Sequence, residues 1–350
     1  NCTLHRLNIK MEKKDLLKDT IKHIDIKSYD STQLIDAMRD MSFTSRDTAR
    51  AADILLKMVK EKECTNILTI AGSTSAAGCM QVYVDMVRNK MVDVVVATGA
   101  SIIDMDLFEA LGFKHYKGHQ DVPDMQLRDL YIDRIYDTFI DEEELQKCDH
   151  TTYEIANSLD PRPYSSREFI WEIGKWLTKN SVKKESLIQT CYECGVPIFC
   201  PAFSDCSAGF GIGKHQWEHP DKHLSIDSVK DFVELTMIKM NAPTTGLFMI
   251  GGGTPKNFAQ DTVVCAEILG HEVPMHKYAV QITVADVRDG ACSSSTLKEA
   301  CSWGKVDVTY EQMVYAEGTT VIPLIASYVY HTNEWKNREY KNWTKLFDKK

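Results

Sequence analysis

The strongest restriction on the fold of this chain is an alternation of short apolar segments that end in or near glycine with helix-like segments. TNILTIAG (65–72) is β-rich, STSAAGCMQVYVDMVRNKM (73–91) is helix-like, and VDVVVATGA (92–100) is β-rich again. Strands that are apolar along their whole length are typical of parallel sheets, because the connecting helices cover both faces. The region therefore predicts a βαβ unit at the start of a parallel sheet.

The same alternation resumes in the second half of the chain. The strand candidates there are VPIFCPAF (196–203), GLFMIGGG (246–253), YAVQITVA (278–285) and VDVTYEQMVYAEG (306–318), with helix-like SVKDFVELTMIKMN (228–241) and KNFAQDTVVCAEILG (256–270) between them. Residues 12–63 have helical spacing, and 113–166 reads as an excursion from the sheet. We expect a Rossmann-like, doubly wound and mainly parallel α/β domain over 64–350, with a helical N-terminal extension over 1–63.

Charge and hydropathy argue against two classes of protein. The formal net charge of −9 disfavours a nucleic-acid partner, because such binding needs clustered basic residues. No apolar run approaches the roughly 18 residues that a membrane-spanning helix requires. The segment before Met11 lacks the apolar core of a signal peptide. We expect a cytoplasmic protein and leave that segment out of the fold prediction.

The eleven cysteines are odd in number and irregularly spaced, which is typical of free thiols in a reducing compartment. Cys191 and Cys194 have the spacing of half a zinc or redox site. No second CxxC and no matching histidine pair accompanies them, so we interpret both as inert thiols and predict no metal.

Small residues follow several of the predicted strands. These strand ends are AGSTSAAG (71–78), ATGAS (97–101), PAFSDCSAGFG (201–211), GGGTPKN (251–257) and DVRDGACSSS (286–295). In open parallel sheets ligands bind at the carboxyl ends of the strands, where glycine turns let phosphates approach backbone amides. Each turn alone fits a simple tight turn, and neither a complete GxGxxG nor a P-loop is present. Together the five strand ends favour an extended, phosphate-bearing ligand.

The segment EACSWGKVDV (299–308) contains a lysine that allows two interpretations. Lys305 is a solvated charge at the edge of a strand, or it is a nucleophile in a dry pocket against Trp303. A lysine becomes nucleophilic when desolvation or a nearby cation removes its proton, and it then forms imines with carbonyl or imine carbons. The same indole ring would also attract an ammonium group.

EACSWGK resembles the active-site lysine segment of the deoxyhypusine synthase family, E-A-x-S-W-G-K. Further segments resemble that family in order and spacing: NKMVDVVVATGAS (89–101), DRIYD (133–137), VPIFCPAFSDCSAG (196–209), MIGGGTPKN (249–257), QITVADVRDG (281–290) and VYAEGTTVIPLI (314–325). The resemblance spans about 65–330. It implies an enzyme that uses NAD to oxidise spermidine, passes a 4-aminobutyl group to the lysine as an imine, and transfers it to an acceptor amine.

The resemblance also implies roles for individual residues. Lys305 would be the imine-forming nucleophile, Trp303 a wall along the polyamine, and Glu299 a carboxylate for a substrate ammonium. The expected NAD contacts are Ser73, Thr98, Gly99, Ala100, Asp205, Gly251, Gly252, Gly253, Ala285, Asp289, Ala316 and Glu317. Asp205 and Glu317 would accept hydrogen bonds from ribose hydroxyls, as carboxylates do in related sites.

The chain departs from the family pattern at substrate-facing positions. Asn257 stands where the family has a histidine that is its proposed base, and an amide takes up no proton at neutral pH. Phe210 and Cys292 stand where the family has carboxylates. The family has a pair of acidic residues after its TxGG motif. In this chain, Asp104 or Asp106 is the remaining candidate for that pair. These changes predict a different amine geometry, as in relatives that make homospermidine from putrescine.

Three alternatives remain open. The acceptor is either the lysine of the hypusine-bearing translation factor or putrescine, and the donor is spermidine or putrescine. A second alternative is that the chain is a regulatory subunit that pairs with an active paralogue. The altered position 257 favours this alternative, and the retained Lys305 opposes it. A sirtuin-like NAD-consuming enzyme is the third, although no zinc motif supports it. The family resemblance further implies a homotetramer with active sites at subunit interfaces.

Overall fold

The computed structural model describes residues 12–348, so the segment before Met11 lies outside the described residues. The strands are β1 Cys64–Ile70, β2 Val94–Ala97, β3 Tyr116–Lys117, β4 Ile132–Ile135, β5 Thr138–Asp141, β6 Pro163–Tyr164, β7 Ile198–Phe199, β8 Ser225–Ile226, β9 Thr244–Ile250, β10 His276–Thr283 and β11 Val306–Tyr315. The helices are α1 Lys13–Leu16, α2 Thr32–Met38, α3 Phe43–Lys60, α4 Met80–Arg88, α5 Phe108–Ala110, α6 Asp124–Asp129, α7 Glu142–Ser158, α8 Ser166–Asn180, α9 Leu187–Cys194, α10 Ser207–Glu218, α11 Ser228–Asn241, α12 Gly253–Gln260, α13 Thr262–Ile268, α14 Leu297–Ser302 and α15 Gly318–His331. Two π-helical segments, Ser75–Cys79 and Ala100–Leu107, precede α4 and α5, and two 3-10 turns, Glu334–Asn337 and Trp343–Phe347, follow α15.

Six parallel strands form the central sheet in the order β11-β10-β9-β1-β2-β7. Counted along the chain within this sheet, the order is 3-2-1-4-5-6, so the direction of winding reverses between β1 and β9. The predicted βαβ unit and mainly parallel α/β class are confirmed. A sheet of this kind leaves a crevice beyond the carboxyl ends of the strands where the winding reverses.

Alternate residues of the central strands pack into two different hydrophobic clusters. Leu247 and Met249 of β9 belong to the cluster that includes side chains of α11, α12 and α14. Phe248 and Ile250 belong to the larger cluster, with side chains of α3, α4 and α15. Successive side chains of a strand point to opposite faces, so helices cover both faces of the sheet.

The edge strand β7 is much shorter than the predicted run 196–203. It pairs with β2 only through Ile198 and Phe199. Pro197 and Pro201 flank this pair, and proline has no N–H to donate to a strand ladder. The apolar composition therefore indicated the correct place of the strand, and the prolines limit its length.

The N-terminal region is less helical, and more integrated, than the sequence indicated. Between α1 and α2 the chain is irregular, with a bridge from Thr20 to Tyr116. The apolar face of α3 packs with its residues Leu55 and Met58 in the same cluster as β1. α3 therefore shares a hydrophobic core with the central sheet.

The excursion predicted at 113–166 contains a small antiparallel sheet, in the order β3-β5-β4, together with α6 and α7. Its β4–β5 hairpin carries Tyr136 and Asp137 to the edge of the central crevice. Over residues 12–348, no helix combines the length and the apolar character that crossing a membrane requires.

Candidate active site

A cavity of about 440 Å³ lies beyond the carboxyl ends of β1, β9, β10 and β11. We call it the larger cavity. Two of its glycines are required by close approach of backbones. Gly251 has a φ of +66°, and a Cβ there would lie 2.8 Å from the Ala71 carbonyl oxygen. A Cβ on Gly252 would lie 2.4 Å from Ser293 Cα. Glycine therefore lets the turn after β9, the end of β1 and the loop around Ser293 meet.

A second cavity of about 210 Å³, the smaller cavity, lies beside the first beyond the end of β2. Gly72 and Ser73 line both cavities, so the two are adjacent. A Cβ on Gly99 would lie 2.5 Å from Cys206 Sγ, and this position therefore also requires glycine. Asp205 lines only the smaller cavity, and Glu317 only the larger.

The predicted NAD contacts collect at these two cavities. The larger cavity is lined by Ser73, Gly251, Gly252, Gly253, Ala285, Ala316 and Glu317, and the smaller by Ser73, Thr98, Gly99, Ala100 and Asp205. Asp289 lines neither cavity. Its carboxylate accepts hydrogen bonds from Ala291 N, at 2.7 Å, and from the Ser294 hydroxyl, and these bonds lower its pKa. In the structure Asp289 therefore shapes its own loop.

The adjacent cavities fit an extended ligand that carries phosphates and hydroxyls. The N-terminus of α12 faces the larger cavity at Gly253, and helix N-termini favour anions. Carboxylates stand at Asp205 and at Glu317, where Glu317 also caps α15 by accepting from Thr319 N at 3.1 Å. Backbone-lined walls of glycine and alanine let a ligand approach closely.

Lys305 lies at the amino end of the strands, immediately before β11, whereas the cavities lie beyond the carboxyl ends. Its carbonyl accepts a hydrogen bond of 2.9 Å from His276 N, at the point where β10 and β11 begin. α14 opens with the Thr296 hydroxyl accepting from Glu299 N at 3.0 Å. Gly304, at φ +72°, then turns the chain from the end of α14 into the strand. A left-handed residue is needed at this turn, which explains the glycine before the lysine.

Four side chains meet at this turn, and we call them the lysine site: Asn257, Asp261, Trp303 and Lys305. The Lys305 ammonium lies 2.5 Å from Asp261 Oδ1 and 5.2 Å from the centroid of the Trp303 ring. Asn257 Nδ2 donates to Asp261 Oδ2 at 2.9 Å. The Lys305 side chain is 13% exposed, whereas that of Asp261 is 29% exposed. Lys305 is thus not the solvated surface charge that one interpretation of the sequence allowed.

The other predicted substrate residues are more open. Trp303 is 66% exposed and Phe210, on α10, is 68% exposed. Glu299 and Cys292 are also exposed. Within one chain the indole therefore shields a single side of Lys305 and does not enclose it.

Asp104 and Asp106 hold helices in place. Asp104 accepts a hydrogen bond of 2.8 Å from Ser207 N at the start of α10, and burial raises its pKa to about 6. Asp106 accepts from Leu187 N and Ile188 N at the start of α9, at 2.7 and 2.8 Å, and burial raises its pKa also to about 6. Asp106 is fully buried with both oxygens bonded to backbone, which counts against it as an amine contact.

Sequence reasoning missed Asp261 of the lysine site and its neighbour Lys256. Asp261 was not singled out, although it lies four residues after Asn257 on the helical face that both share. Lys256 is 1% exposed, and its ammonium donates to Cys292 O at 2.8 Å, Ser295 O at 2.5 Å and Ser295 Oγ at 3.0 Å. Burial lowers the pKa of Lys256 to about 8. It ties α12 to the loop that covers the larger cavity.

The two halves of the predicted site are separate within one chain. Lys305 and Trp303 line neither cavity, and the same is true of Glu299 and Asn257. α12 connects the two regions, because Gly253 at its start lines the larger cavity and Asp261 of the lysine site follows eight residues later, about 12 Å away at the rise of an α-helix. A reaction that uses both halves needs a further element to bring them together.

Within residues 12–348, no three histidine, cysteine, aspartate or glutamate side chains are grouped so as to hold a metal ion. Cys191 and Cys194 are buried and free. The thiol of Cys194 lies 3.4 Å from the Tyr340 hydroxyl.

Fold and site define a parallel-sheet α/β protein with glycine-lined cavities for an extended ligand and a shielded lysine paired with a carboxylate. The family model for deoxyhypusine synthase matches residues 33–329, and the chain belongs to this family. Its relatives include deoxyhypusine synthase-like proteins of Caulobacter vibrioides, 67% identical over 97% of this chain and 93% of that protein, and of Coxiella burnetii, 66% identical over 96% of each.

Two more distant proteins bear on the family and on the fold. A protein of Methanosarcina mazei named "Probable deoxyhypusine synthase 2" is 36% identical over 93% of this chain and 92% of its own length. A crystal structure assigned to a deoxyhypusine synthase of Entamoeba histolytica covers 92% of this chain and 99% of its own, with a TM-score of 0.60 and 19% identity. That likeness supports the fold.

Proposed function

We propose that this protein is an NAD-dependent aminobutyltransferase that carries a 4-aminobutyl group from a polyamine to an acceptor amine through an imine on Lys305. The observation that carries the proposal is the environment of Lys305, which is shielded from solvent beside a tryptophan face and a carboxylate. Family membership implies aminobutyl transfer, and a lysine that forms an imine is the nucleophile that such transfer needs.

The cofactor proposal rests on the two cavities and on the strand order of the central parallel sheet. The glycine turns and the N-terminus of α12 would hold the pyrophosphate, and Asp205 and Glu317 would accept from ribose hydroxyls. Bound NAD supplies the reversible removal of hydride from a carbon next to nitrogen.

The remaining chemistry belongs to side chains of this protein. The Lys305 amine would attack the oxidised carbon of the donor and carry the aminobutyl group. The face of Trp303 attracts a substrate ammonium, and the carboxylate of Glu299 would bind another. Exclusion of water around Lys305 protects the imine from hydrolysis.

We further propose that the complete active site forms between two subunits of a cytoplasmic homotetramer. The separation of Lys305 from both cavities in one chain supports this, since a partner subunit could place its cavity against the lysine site. The exposure of Trp303 and Phe210 supports it as well, because large exposed apolar side chains often mark contact surfaces.

Incubation of the purified protein with NAD and either spermidine or putrescine, with and without the hypusine-bearing translation factor, tests the proposal. Mass spectrometry should detect an aminobutylated product, and the arm in which it appears identifies the donor and the acceptor. Borohydride should trap an aminobutyl adduct on Lys305. Absence of product and adduct in every arm would contradict the proposal and favour the regulatory-subunit alternative.

A further inference from the structure

Asp261 occupies a fixed position between two helices next to Lys305. Its backbone N–H donates to the Asn257 carbonyl at 2.9 Å, closing the last turn of α12, and α13 begins at the next residue. The two helices hold the backbone of Asp261, and the hydrogen bond from Asn257 holds its carboxylate. The 2.5 Å contact with the Lys305 ammonium is therefore set by the fold.

Asn257 fixes the orientation of this carboxylate. Residues four apart on a helix lie on the same face, and the amide of Asn257 donates to the Asp261 oxygen that does not face Lys305. An amide can donate this hydrogen bond but accepts no proton at neutral pH. The side chain at position 257 thus cannot be a base, although it holds one in place.

The other charged groups around Lys305 do not offer the same function. Lys256 on α12 is close enough to interact with Lys305, but it is a cation. Glu299 on α14 interacts with Lys256, is exposed, and makes no ion pair with Lys305. Among residues 12–348, Asp261 is the one acidic side chain at ion-pair distance from the Lys305 ammonium.

We propose that Asp261 is the catalytic acid and base of the Lys305 reaction, and that Asn257 is a positioning residue that acts through Asp261. The inference rests on the proposed aminobutyl transfer and deepens it. It gives the protein a proton acceptor one helical turn after Asn257, which stands where the family pattern has a histidine.

The protons and charges of the transfer step balance. Asp261 takes one proton from the Lys305 ammonium, and the neutral amine attacks the iminium carbon of the oxidised donor, forming a C–N bond. A second lysine proton moves to the nitrogen of the departing amine. The C–N bond to that nitrogen breaks, leaving an iminium on Lys305. Asp261 then returns its proton to the departing amine, which leaves as an ammonium.

Two measurements on Asp261→Asn test the inference. The first is the kcat of aminobutyl transfer, and the second is labelling of Lys305 by propionaldehyde and cyanoborohydride across pH, which needs neither NAD nor a polyamine. Mass spectrometry would quantify labelling relative to the exposed Lys298 of α14. Glu267→Gln is the matched control, because it removes the same charge from an exposed position of α13.

The two readouts of Asp261→Asn should move in opposite directions. Transfer should fall by about 100-fold or more, the range for loss of a general acid and base. Labelling of Lys305 at pH 7 should rise by about threefold or more, because the amine is no longer held in an ion pair with a carboxylate and is freer to react with the aldehyde. Glu267→Gln should leave both unchanged. A variant that merely misfolds would not gain labelling.

Transfer within twofold of wild type, or unchanged labelling of Lys305 at pH 7, would overturn the inference. If the wild-type protein transfers no aminobutyl group while the labelling shift occurs, the proposed function fails and the coupling of Asp261 to Lys305 stands. Asn257→Ala should reduce transfer less, by about threefold to tenfold, since the carboxylate remains but loses its orienting hydrogen bond.

Discussion

The cavities and the lysine site are constructed in different ways. The cavity walls are mostly backbone, and side chains are excluded at Gly99, Gly251 and Gly252 by contacts that a Cβ would violate. The lysine site consists of side chains that meet across the ends of α12 and α14. The shape of the cavities depends on glycines that lack a side chain, whereas the lysine site depends on the identity of its side chains. Substitutions should therefore affect the two regions independently.

The largest effect should follow removal of the nucleophile. Lys305→Arg keeps the positive charge opposite Asp261 but forms no imine, so transfer should fall by about a thousandfold or more. NAD affinity, measured by calorimetric titration, should stay within about twofold, because Lys305 lines neither cavity. Lys298→Arg on α14 is the control and should behave like wild type. A large loss of NAD affinity in Lys305→Arg would show that the two regions are not separate.

Gly252→Ala should affect the other region. The new Cβ would lie 2.4 Å from Ser293 Cα, so the covering loop must move, at a cost of about 1–3 kcal/mol in the free energy of unfolding. NAD affinity should fall by about tenfold or more, while propionaldehyde labelling of Lys305 stays unchanged. Gly213→Ala in α10 is the control, because a Cβ there meets nothing within 4 Å. Unchanged NAD affinity in Gly252→Ala would contradict the assignment of the larger cavity.

Mixing these two defects tests whether one active site uses two chains. With equal amounts of Lys305→Arg and Gly252→Ala chains associating at random, one site in four would combine an intact cavity with an intact lysine from different subunits. Co-expression should therefore restore about a quarter of the wild-type transfer activity. Activity no higher than that of the separate variants would show that each chain uses its own cavity and lysine.

The smallest effect concerns the buried lysine between the two regions. The pKa of Lys256 is lowered by burial from 10.5 to about 8 in the folded protein, so between these values the unfolded chain binds more protons. The free energy of unfolding that Lys256 contributes should therefore rise with pH from about 8 to 10, by about 1–3 kcal/mol. Urea unfolding of wild type and Lys256→Met across this range would measure the difference. An equal pH dependence in both proteins would show that Lys256 is not the group responsible.

Whether a feature could be predicted from the sequence depended on its physical cause. The parallel strands were evident because strands buried on both faces are continuously apolar, as in VVVA of β2. The glycine turns were evident because close backbone approach tolerates no side chain. The roles predicted for Asp106 and Asp289 stay predictions. The sequence could not show that Asp106 bonds to the backbone at the start of α9 or that Asp289 bonds within its own loop, because a carboxylate that binds a ligand and one that binds backbone look alike in sequence.

The sequence by itself determined the family, the sheet class, the glycine turns and the choice of Lys305 as the candidate nucleophile, since each of these depends on residue types at fixed local spacing. The tertiary structure alone decided that the lysine and the cavities lie at opposite ends of the strands, because their positions depend on the direction in which β10 and β11 run. It also decided that Asp261 is the partner of Lys305. These residues are far apart in the chain, and they meet only because the C-terminal end of α12 and the turn after α14 lie at the same end of the sheet.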